Sequence, residues 1–462
     1  MGRWSNHQFG YIICIMKIGC NRRDFLKAGA FFIAAGGKAW GDNAPSNRVR
    51  FALVGCHRYS RGLRVATTVV GLPGVEIAVV CDVDSRARDF AAKLLGEMSG
   101  VTPRKEKDFR KVLEDPTIDA VISETPDHFH AWSAVMAMRA GKHVYVEKPC
   151  AYCPRECEII MDTWRKTGKV MQVGSQRRST PQYIEAIAAI RSGSLIGKAH
   201  WGRCWYNTIR KPIGRGRPVD PPAWLDWDLW QACAPREGFR DNLVHYNWHW
   251  FRKWGTGECG NNSVHFVDVA RWALGVDYPE RVTSTGGKFW MPDDQDWEWP
   301  DTQMISCNFP GGRFLTWEGT CSAKVDRFMG TGTGAVVYGD AGSVQFLPSD
   351  EVKVFDNNGK LVRKWNADPE RAKILDTDNR RGTKDTTDLH FANFVDAIKA
   401  NDPMKACANA EVGVKSTMLA LLGNVSLDIG EAVCLDAETG RLLGGRAKNL
   451  WSREYEKGWE LE

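Results

Sequence analysis

DAVISETPDHFHAWSAVMAMRAGKHVYVEKP, residues Asp119 to Pro149, is the stretch whose reading decides the fold. Ala120 to Ser123 is a continuous apolar run of the kind that forms a strand buried on both faces. A polar turn follows, then a predicted helix over His130 to Ala140, then a second apolar strand that ends in Glu147-Lys148-Pro149. Two short strands around one helix of about three turns make a βαβ unit and therefore imply a parallel sheet covered by helices. Ligands of such sheets bind beyond the carboxyl ends of the strands. Both ends are polar here, with Thr125, Asp127, His128 and His130 at one and Glu147 and Lys148 at the other.

The same alternation extends outward. Val49 to Gly55 and Val75 to Cys81 read as strands, the second closed by Asp82-Val83-Asp84. Helices are predicted from Leu63, over Ser85 to Met98, Asp108 to Asp115 and Pro154 to Thr167, with a further strand at Lys169 to Gly174. Alternating β and α over 47–175 predicts a Rossmann dinucleotide-binding domain in an α/β protein. Beyond Gly174 the period changes. A helix (Pro181 to Ser192), a long strand (Lys198 to Thr208), a Pro/Gly-rich loop and an aromatic-dense segment precede a predicted helix from Asn261 to Leu274. Alternating runs between Arg281 and Phe355 then read as a large, mostly antiparallel open sheet, and helices follow at Asp388 to Ala400 and Ala408 to Leu427. Residues 176–462 are expected to form a C-terminal α/β domain for substrate and self-association.

Residues 1–46 read as an address. Asn21-Arg22-Arg23-Asp24-Phe25-Leu26-Lys27 precedes an apolar run, Ala28 to Gly37, that is too short to span a bilayer and suits a signal core. Paired arginines before Phe-Leu-Lys resemble the twin-arginine export signal. The expectation is a periplasmic or otherwise exported protein with no membrane association once the signal is removed, starting at Met1 or Met16 and maturing between Trp40 and Asn47.

Composition narrows the class. In 462 residues, 43% are apolar and 26% charged, and the net charge of +6 comes without a basic run long enough for a nucleic-acid footprint. Twenty tryptophans can stack on sugar rings or fill a core. Fourteen cysteines are scattered, and the one cluster, Cys150-x2-Cys153-x3-Cys157, has no second CxxC to complete a metal site, while His245-x3-His249 lacks a clear third ligand, so no metal is expected.

Several ordered motifs together resemble the glucose–fructose oxidoreductase/inositol dehydrogenase (Gfo/Idh/MocA) family. They are Thr125-Pro126-Asp127-His128-x-His130, Gly141-Lys142-His143-Val144 through Glu147-Lys148-Pro149, Val173-Gly174-Ser175-Gln176-Arg177-Arg178 and Leu225-Asp226-Trp227-Asp228-Leu229-Trp230. The series continues with Gly255-Thr256-Gly257-Glu258-x-Gly260-Asn261, His265-x2-Asp268-x2-Arg271-Trp272, Pro300-Asp301-Thr302-Gln303 and Asp388-Leu389-His390-Phe391-x-Asn393-Phe394. The later motifs resemble the exported, sugar-acting branch. The resemblance implies a Rossmann domain followed by an open-sheet domain, a nicotinamide site lined by Thr125, Pro126, His130, Glu147 and Gln176, and a Lys–His pair facing it.

The residues qualify that picture. A phosphate-binding turn ordinarily reads G-x-G-x-x-G, so that backbone can approach the pyrophosphate at a helix N-terminus. Here Gly55 is kept, His57 and Ser60 replace the next two glycines, and Gly62 lies beyond. Gly55, His57, Arg58 and Tyr59 are assigned to the cofactor, with Arg58 or Arg61 able to offset the lost glycines by charge. Asp82, at the end of the second strand, would accept from adenosine ribose hydroxyls and repel a 2′-phosphate, which favours NAD over NADP.

Lys148 and His265 are the catalytic candidates, because removing hydride from a secondary alcohol needs a proton acceptor and a cation beside the forming alkoxide. Asn261 stands where the family has Asp, one helical turn before His265. It can orient the imidazole or bind a sugar hydroxyl but cannot accept a proton. Arg177, His245 and Trp250 are the candidate substrate contacts, with core packing an equal reading for the cluster His245, Trp248, His249 and Trp250. His128, His143, His200 and His390 read as structural, and Trp224, Trp227 and Trp230, three apart, read as core. The expected activity is NAD-dependent oxidation of a ring hydroxyl of a sugar or glycoside, or the reverse, with cofactor retained and a homo-oligomer (dimer or tetramer) covering the open sheet. Redox-neutral glycoside cleavage on the same fold, and a non-catalytic sugar-binding protein with a vestigial turn, are the alternatives.

Overall fold

The computed structural model describes residues 48–58, 60–322, 330–369 and 386–462. The predicted signal and Tyr59 lie outside the described residues. Six parallel strands form the first sheet: β1 (Val49–Val54), β2 (Val75–Cys81), β3 (Arg104–Glu106), β4 (Ala120–Ser123), β5 (His143–Val146) and β6 (Met171–Val173). Their order is β3-β2-β1-β4-β5-β6. The chain builds outward from β1 to β3 and restarts on the other side at β4, so the crevice of this doubly wound sheet opens beyond β1 and β4. All four β4 residues are buried, as a central strand of a parallel sheet requires.

Helices α1 (Arg61–Val69), α2 (Ser85–Ser99), α3 (Phe109–Glu114), α4 (Asp127–Arg139) and α5 (Pro154–Thr167) connect these strands. α2 starts where the Asp84 carboxylate accepts from the Arg86 and Ala87 amides and stops at Gly100, whose φ of 77° suits only glycine well. α4 begins three residues earlier than its apolar spacing suggests, because Pro126 ends the extended segment and Asp127 belongs to the first turn. β3 was not predicted: Arg104-Lys105-Glu106 is a charged edge strand with no apolar pattern.

The second sheet has nine strands in the order β14-β13-β12-β11-β7-β10-β9-β8-β15. They are β7 (Ala199–Asn207), β8 (Arg281–Gly287), β9 (Thr302–Phe309), β10 (Arg313–Thr320), β11 (Thr333–Gly339), β12 (Gly342–Phe346), β13 (Val352–Phe355), β14 (Leu361–Trp365) and β15 (Val433–Cys434). Only β7 and β10 pair in parallel, so the sheet is mostly antiparallel, as expected. After helix α6 (Pro181–Arg191) and the short α7 (Trp227–Gln231), α8 (Val264–Leu274) lies on β7, where Gly202 admits Ala270.

Helices α9 (Thr387–Ala400) and α10 (Ala410–Ile429) serve both sheets. α9 sets Phe391 and Phe394 against Phe51 and Tyr145 of the first sheet, with ring centroids 5.3–6.1 Å apart. α10 packs against α5, β6 and β8. It is long and apolar enough to cross a membrane by length and composition, but 83% of its most apolar window is buried within the protein. Both sheets fall in one compact unit, Val49–Leu72 with Glu76–Glu462.

A buried polar cluster ties α8 to the turn after β6. Arg178 donates to both oxygens of Asp268 at 2.7 and 2.9 Å, and Ser416 of α10 donates to Asp268 Oδ1 at 2.6 Å. Burial pushes the Asp268 carboxyl up, but Arg178, Arg271 and Ser416 outweigh it and hold it below the usual range. That stabilisation is complete above the ordinary carboxylate pKa and is lost as pH falls through the depressed value. Asp268→Ala leaves Arg178 buried without its partner and is expected to destabilise the protein by about 3–5 kcal/mol, read as a shift in the urea unfolding midpoint; an unchanged midpoint would show that the pair contributes nothing.

Candidate active site

Beyond the ends of β1, β2, β4 and β5 lies a cavity of about 810 Å³, within the size range of cofactor and substrate sites. Its floor is the turn between β1 and α1. Gly55 has φ of +85°, and a Cβ there would stand 2.3 Å from the Glu124 carbonyl oxygen. A Cβ on Gly62 would meet the Gly55 carbonyl oxygen at 2.2 Å. Ser60 is the N-cap of α1, its hydroxyl accepting from the Leu63 amide at 3.2 Å. The close approach of helix to strand, normally the third glycine's task in the turn motif, therefore falls to Gly62.

Asp82 pins this turn to β2: its carboxylate accepts from the Cys56 amide at 2.7 Å and the Asp84 amide at 2.9 Å. Two lone-pair positions remain for a ribose hydroxyl. The segment after β7 folds across the same strand end. The Trp224 carbonyl accepts from the Ser85 amide at 2.9 Å, and the Val83 carbonyl accepts from the Asp226 amide at 3.1 Å. Arg86 lies 3.4 Å over the Trp224 ring. His245, expected among the substrate contacts, lies at the end of β2 instead: its Nε2 bonds Asp84 Oδ2 at 3.0 Å, and its ring stacks on His57 at 4.0 Å. Burial and the neighbouring His57 bring the His245 pKa down to about 4, so the stacked pair is neutral at pH 7.

The other end of the cavity holds the catalytic candidates. The peptide bond between Lys148 and Pro149 is cis. Lys148 Nζ donates to the main-chain and side-chain oxygens of Asn261, at 2.5 and 3.2 Å. Burial lowers its pKa against the opposing pull of Glu147 and Asp127. His265 lines the same cavity, its Nδ1 buried and without a partner among the described residues. Burial, then the charges of Lys148, Arg177 and Arg61, hold its imidazole well below the ordinary 6.5 and keep it neutral.

Asn261, read as able to orient the imidazole or bind a sugar hydroxyl, accepts from Lys148 Nζ with both its oxygens. Residues Cys259–Ser263 form a π-helical turn before α8, which changes the side-chain phase between Asn261 and His265 and presents Asn261 to Lys148. Asp127, at the start of α4, accepts from the Thr256 amide and hydroxyl at 3.0 and 2.6 Å, which ties the π-helical segment to the first sheet.

Of the predicted residues, the cavity collects Gly55, His57, Asp82, Thr125, Pro126, His130, Glu147, Lys148, Gln176, Arg177, His245, Asn261 and His265. Arg58 is not among them: its guanidinium lies 5.3 Å over the Phe90 ring, outside the cavity, and Arg61 lines it instead. Trp250 is also elsewhere. It is buried, stacked on Trp297 at 3.8 Å in a separate small core, because the turn Asn247–Trp250 directs it away. Trp227 and Trp230 stack in a core as their spacing suggests, although Trp230 also borders the cavity. Cys150, Cys153 and Cys157 are free buried thiols, and His390 is structural, bonding the Val173 carbonyl at 2.9 Å and Ser179 at 2.9 Å beneath the Gln176–Arg177 turn. Sequence reasoning missed Glu124, Asp84, Tyr246 and Asp350; only Glu124, a charge abutting a buried strand, carried a local signal.

A dinucleotide fits this site. The two glycine contacts leave bare backbone at the N-terminus of α1, and buried atoms without partners among the described residues, His130 Nε2, Gln176 Oε1 and His265 Nδ1, belong to side chains that line the cavity. Comparison with known proteins agrees. Residues 49–175 match the model of an oxidoreductase family with an NAD-binding Rossmann fold, and residues 231–419 match the C-terminal alpha/beta domain of the same family, GFO_IDH_MocA.

A scyllo-inositol 2-dehydrogenase (NAD(+)) of Bacillus subtilis is 35% identical over 244 residues, 52% of this chain and 57% of that protein. The levoglucosan dehydrogenase of Pseudarthrobacter phenanthrenivorans is 27% identical over 39% of this chain and 42% of its own length. The chain thus spans about half the length of the curated relatives it matches. Among solved structures, a levoglucosan dehydrogenase complex with NADH and levoglucosan superposes with a TM-score of 0.62 at 20% identity, covering 84% of this chain and 99% of that one. An aldose-aldose oxidoreductase from Caulobacter crescentus gives 0.62 at 17%, covering 84% and 100%. At such identities the superpositions show the fold.

Gly62→Ala tests the cradle directly. The added methyl must displace the Gly55 carbonyl, and the expected result is a loss of about 1–3 kcal/mol of stability by overpacking, together with weaker NADH binding in fluorescence titration. Unchanged affinity would show that the turn does not bind the diphosphate.

Proposed function

We propose, from the premise that this chain belongs to the Gfo/Idh/MocA oxidoreductase family, that it oxidises a ring hydroxyl of a sugar, glycoside or cyclitol with NAD, or reduces the corresponding ketone. The observation that carries this reading is the pairing of Lys148 and His265 in one cavity with the Gly55–Gly62 cradle. With the diphosphate held at the cradle, the nicotinamide would supply the hydride acceptor at the Lys148 end. Lys148, anchored by Asn261, donates a hydrogen bond to the substrate oxygen and stabilises the negative charge that develops on it. His265, neutral because it is buried beside cations, accepts the hydroxyl proton. Arg177, its guanidinium 4.3 Å over the Phe266 ring and 3.6 Å from Asp350, borders the substrate side with Tyr246 and His249.

The electrostatics set the pH profile. Activity in the oxidation direction falls only as His265 is protonated, so the acid limb of kcat/KM lies well below pH 6.5. Loss of the Lys148 charge brings the alkaline limb below pH 10.5. Lys148→Ala is expected to lower kcat by about 10²–10⁴-fold while NADH still binds, and His265→Ala to remove the acid limb. The measurement is NADH formation from a panel of cyclitols, anhydrosugars and glycosides. Turnover unaffected by Lys148→Ala would refute its role, and glycoside cleavage without net NADH would replace this reading with redox-neutral chemistry.

Cofactor retention is part of the proposal. Its support is the segment around Trp224 and His245 closing over the end of β2, where an adenosine would lie. Retention suits export in the folded state by the twin-arginine route read at Arg22-Arg23, where no nicotinamide pool is expected. Purified protein should carry nucleotide through gel filtration and lose it after His245→Ala; protein that is nucleotide-free from the start removes this part. Self-association is proposed for the face of the nine-stranded sheet that carries Trp201, Tyr338 and the half-exposed Met304, and a monomer in light scattering would contradict it.

A further inference from the structure

Glu124 follows β4 directly and is 8% exposed, yet neither carboxyl oxygen has a hydrogen-bond partner among the described residues. Its place is specific. A Cβ on Gly62, in the first turn of α1, would stand 2.7 Å from Glu124 Cβ and 3.1 Å from its Cγ, and the Glu124 carbonyl lies beneath Gly55. The side chain borders the cavity among Gly55, Ser60, Arg61 and Arg64, where a Rossmann turn presents its backbone to a dinucleotide diphosphate. An ionised carboxylate there would repel that diphosphate and be buried without a donor; a neutral acid carries an O–H that can be donated.

The charges that face it are Arg61 and Arg64 from α1 and Glu147 and Lys148 from the end of β5. Burial and then Glu147 favour the neutral acid, the three cations oppose it, and the balance lies with the acid. A bound diphosphate adds negative charge and pushes the same way.

Building on the cofactor reading, we propose that Glu124 binds the dinucleotide as a neutral carboxylic acid, donating its O–H to a diphosphate oxygen. It thereby supplements a turn in which His57 and Ser60 stand in place of two glycines. Glu124 is a binding residue in this role and takes no part in proton transfer to or from the substrate.

The test is NADH affinity, measured by fluorescence or calorimetric titration on the full chain for wild type, Glu124→Gln and Glu124→Ala, with adenosine as a ligand that lacks the diphosphate. Gln keeps the shape and an N–H donor, so its NADH Kd is expected within about threefold of wild type, whereas Ala is expected to bind about tenfold more weakly, the loss of one hydrogen bond to a charged group. Adenosine affinity should be the same in all three. With rising pH, the wild-type Kd should weaken no later than the pH at which Glu124 ionises, while Glu124→Gln shows no such limb.

The opposite sign overturns the proposal: tighter NADH binding by either variant identifies Glu124 as an anion that obstructs the diphosphate. Ala affinity equal to wild type, equal losses in Gln and Ala, or a parallel loss for adenosine also overturns it. Wild type that binds neither NADH nor NAD⁺ would instead remove the cofactor reading on which the proposal rests, and thermal melts of each variant separate misfolding from lost affinity.

Discussion

The catalytic end of this molecule depends on a buried ion pair. Arg178 belongs to the turn that carries Gln176 and Arg177, and Asp268 lies one helical turn beyond His265 on α8. The Arg178 fork therefore fixes the distance between an element of the first sheet and the helix that holds the proposed base. Ser416 and Arg271 close the cluster and bring α10 into it. Such a pair is costly to desolvate and of modest net value to stability, but breaking it leaves a stranded charge, so it acts chiefly by fixing one arrangement. Asp127 does the same from the other side by holding Thr256, and Lys148 completes the brace through Asn261. Three polar links thus join the two sheets around one cavity.

The two ends of the cavity differ in how they are closed. The nicotinamide end is assembled from strand termini and α8, which are rigid elements well suited to hold reacting groups. The end beyond β2 is closed by a long excursion between β7 and α8 that brings Trp224, His245 and α7 over Asp84. Its cohesion comes from Trp227 stacked on Trp230 with Trp254 edge-on to both, a core of its own apart from both sheets.

What was legible in the sequence follows from how local each feature is. β1, β4 and β5 are short apolar runs because parallel strands are buried on both faces, and they could be read without any partner in view. Lys148 and His265 were legible through ordered motifs, not through chemistry, since an isolated Lys or His says little. β3 was not legible: it is three charged residues held as an edge by β2. The π-helical turn at Cys259–Ser263 reads Cys-Gly-Asn-Asn-Ser, too poor in apolar residues to show a period, and so the changed phase of Asn261 left no trace. Arg58 and Arg61 are three apart, and only the start of α1 decides which of them faces the cavity. Trp250 looked like a sugar contact by composition, but its partner Trp297 is 47 positions away in sequence.

The deviations from the expected turn make sense as one set of exchanges. Replacing the second and third glycines with His57 and Ser60 removes conformational freedom and bare backbone from the β1–α1 turn. Ser60 returns something as a helix cap, and Gly62 takes over the close contact that the replaced glycine would have made. His57 gains a stacking partner in His245, which in turn is held by Asp84, the residue that also caps α2. The turn is therefore rigidified by contacts from a segment that a minimal Rossmann domain does not have, and its altered sequence is coherent only together with that segment. A turn emptied of function would have no reason to keep Gly55 and Gly62 within touching distance of Glu124, or to invest a neutral histidine stack and a buried aspartate in holding its shape. The geometry is that of a binding turn rebuilt with different residues, and the surrounding cap is the condition that makes the rebuilding possible.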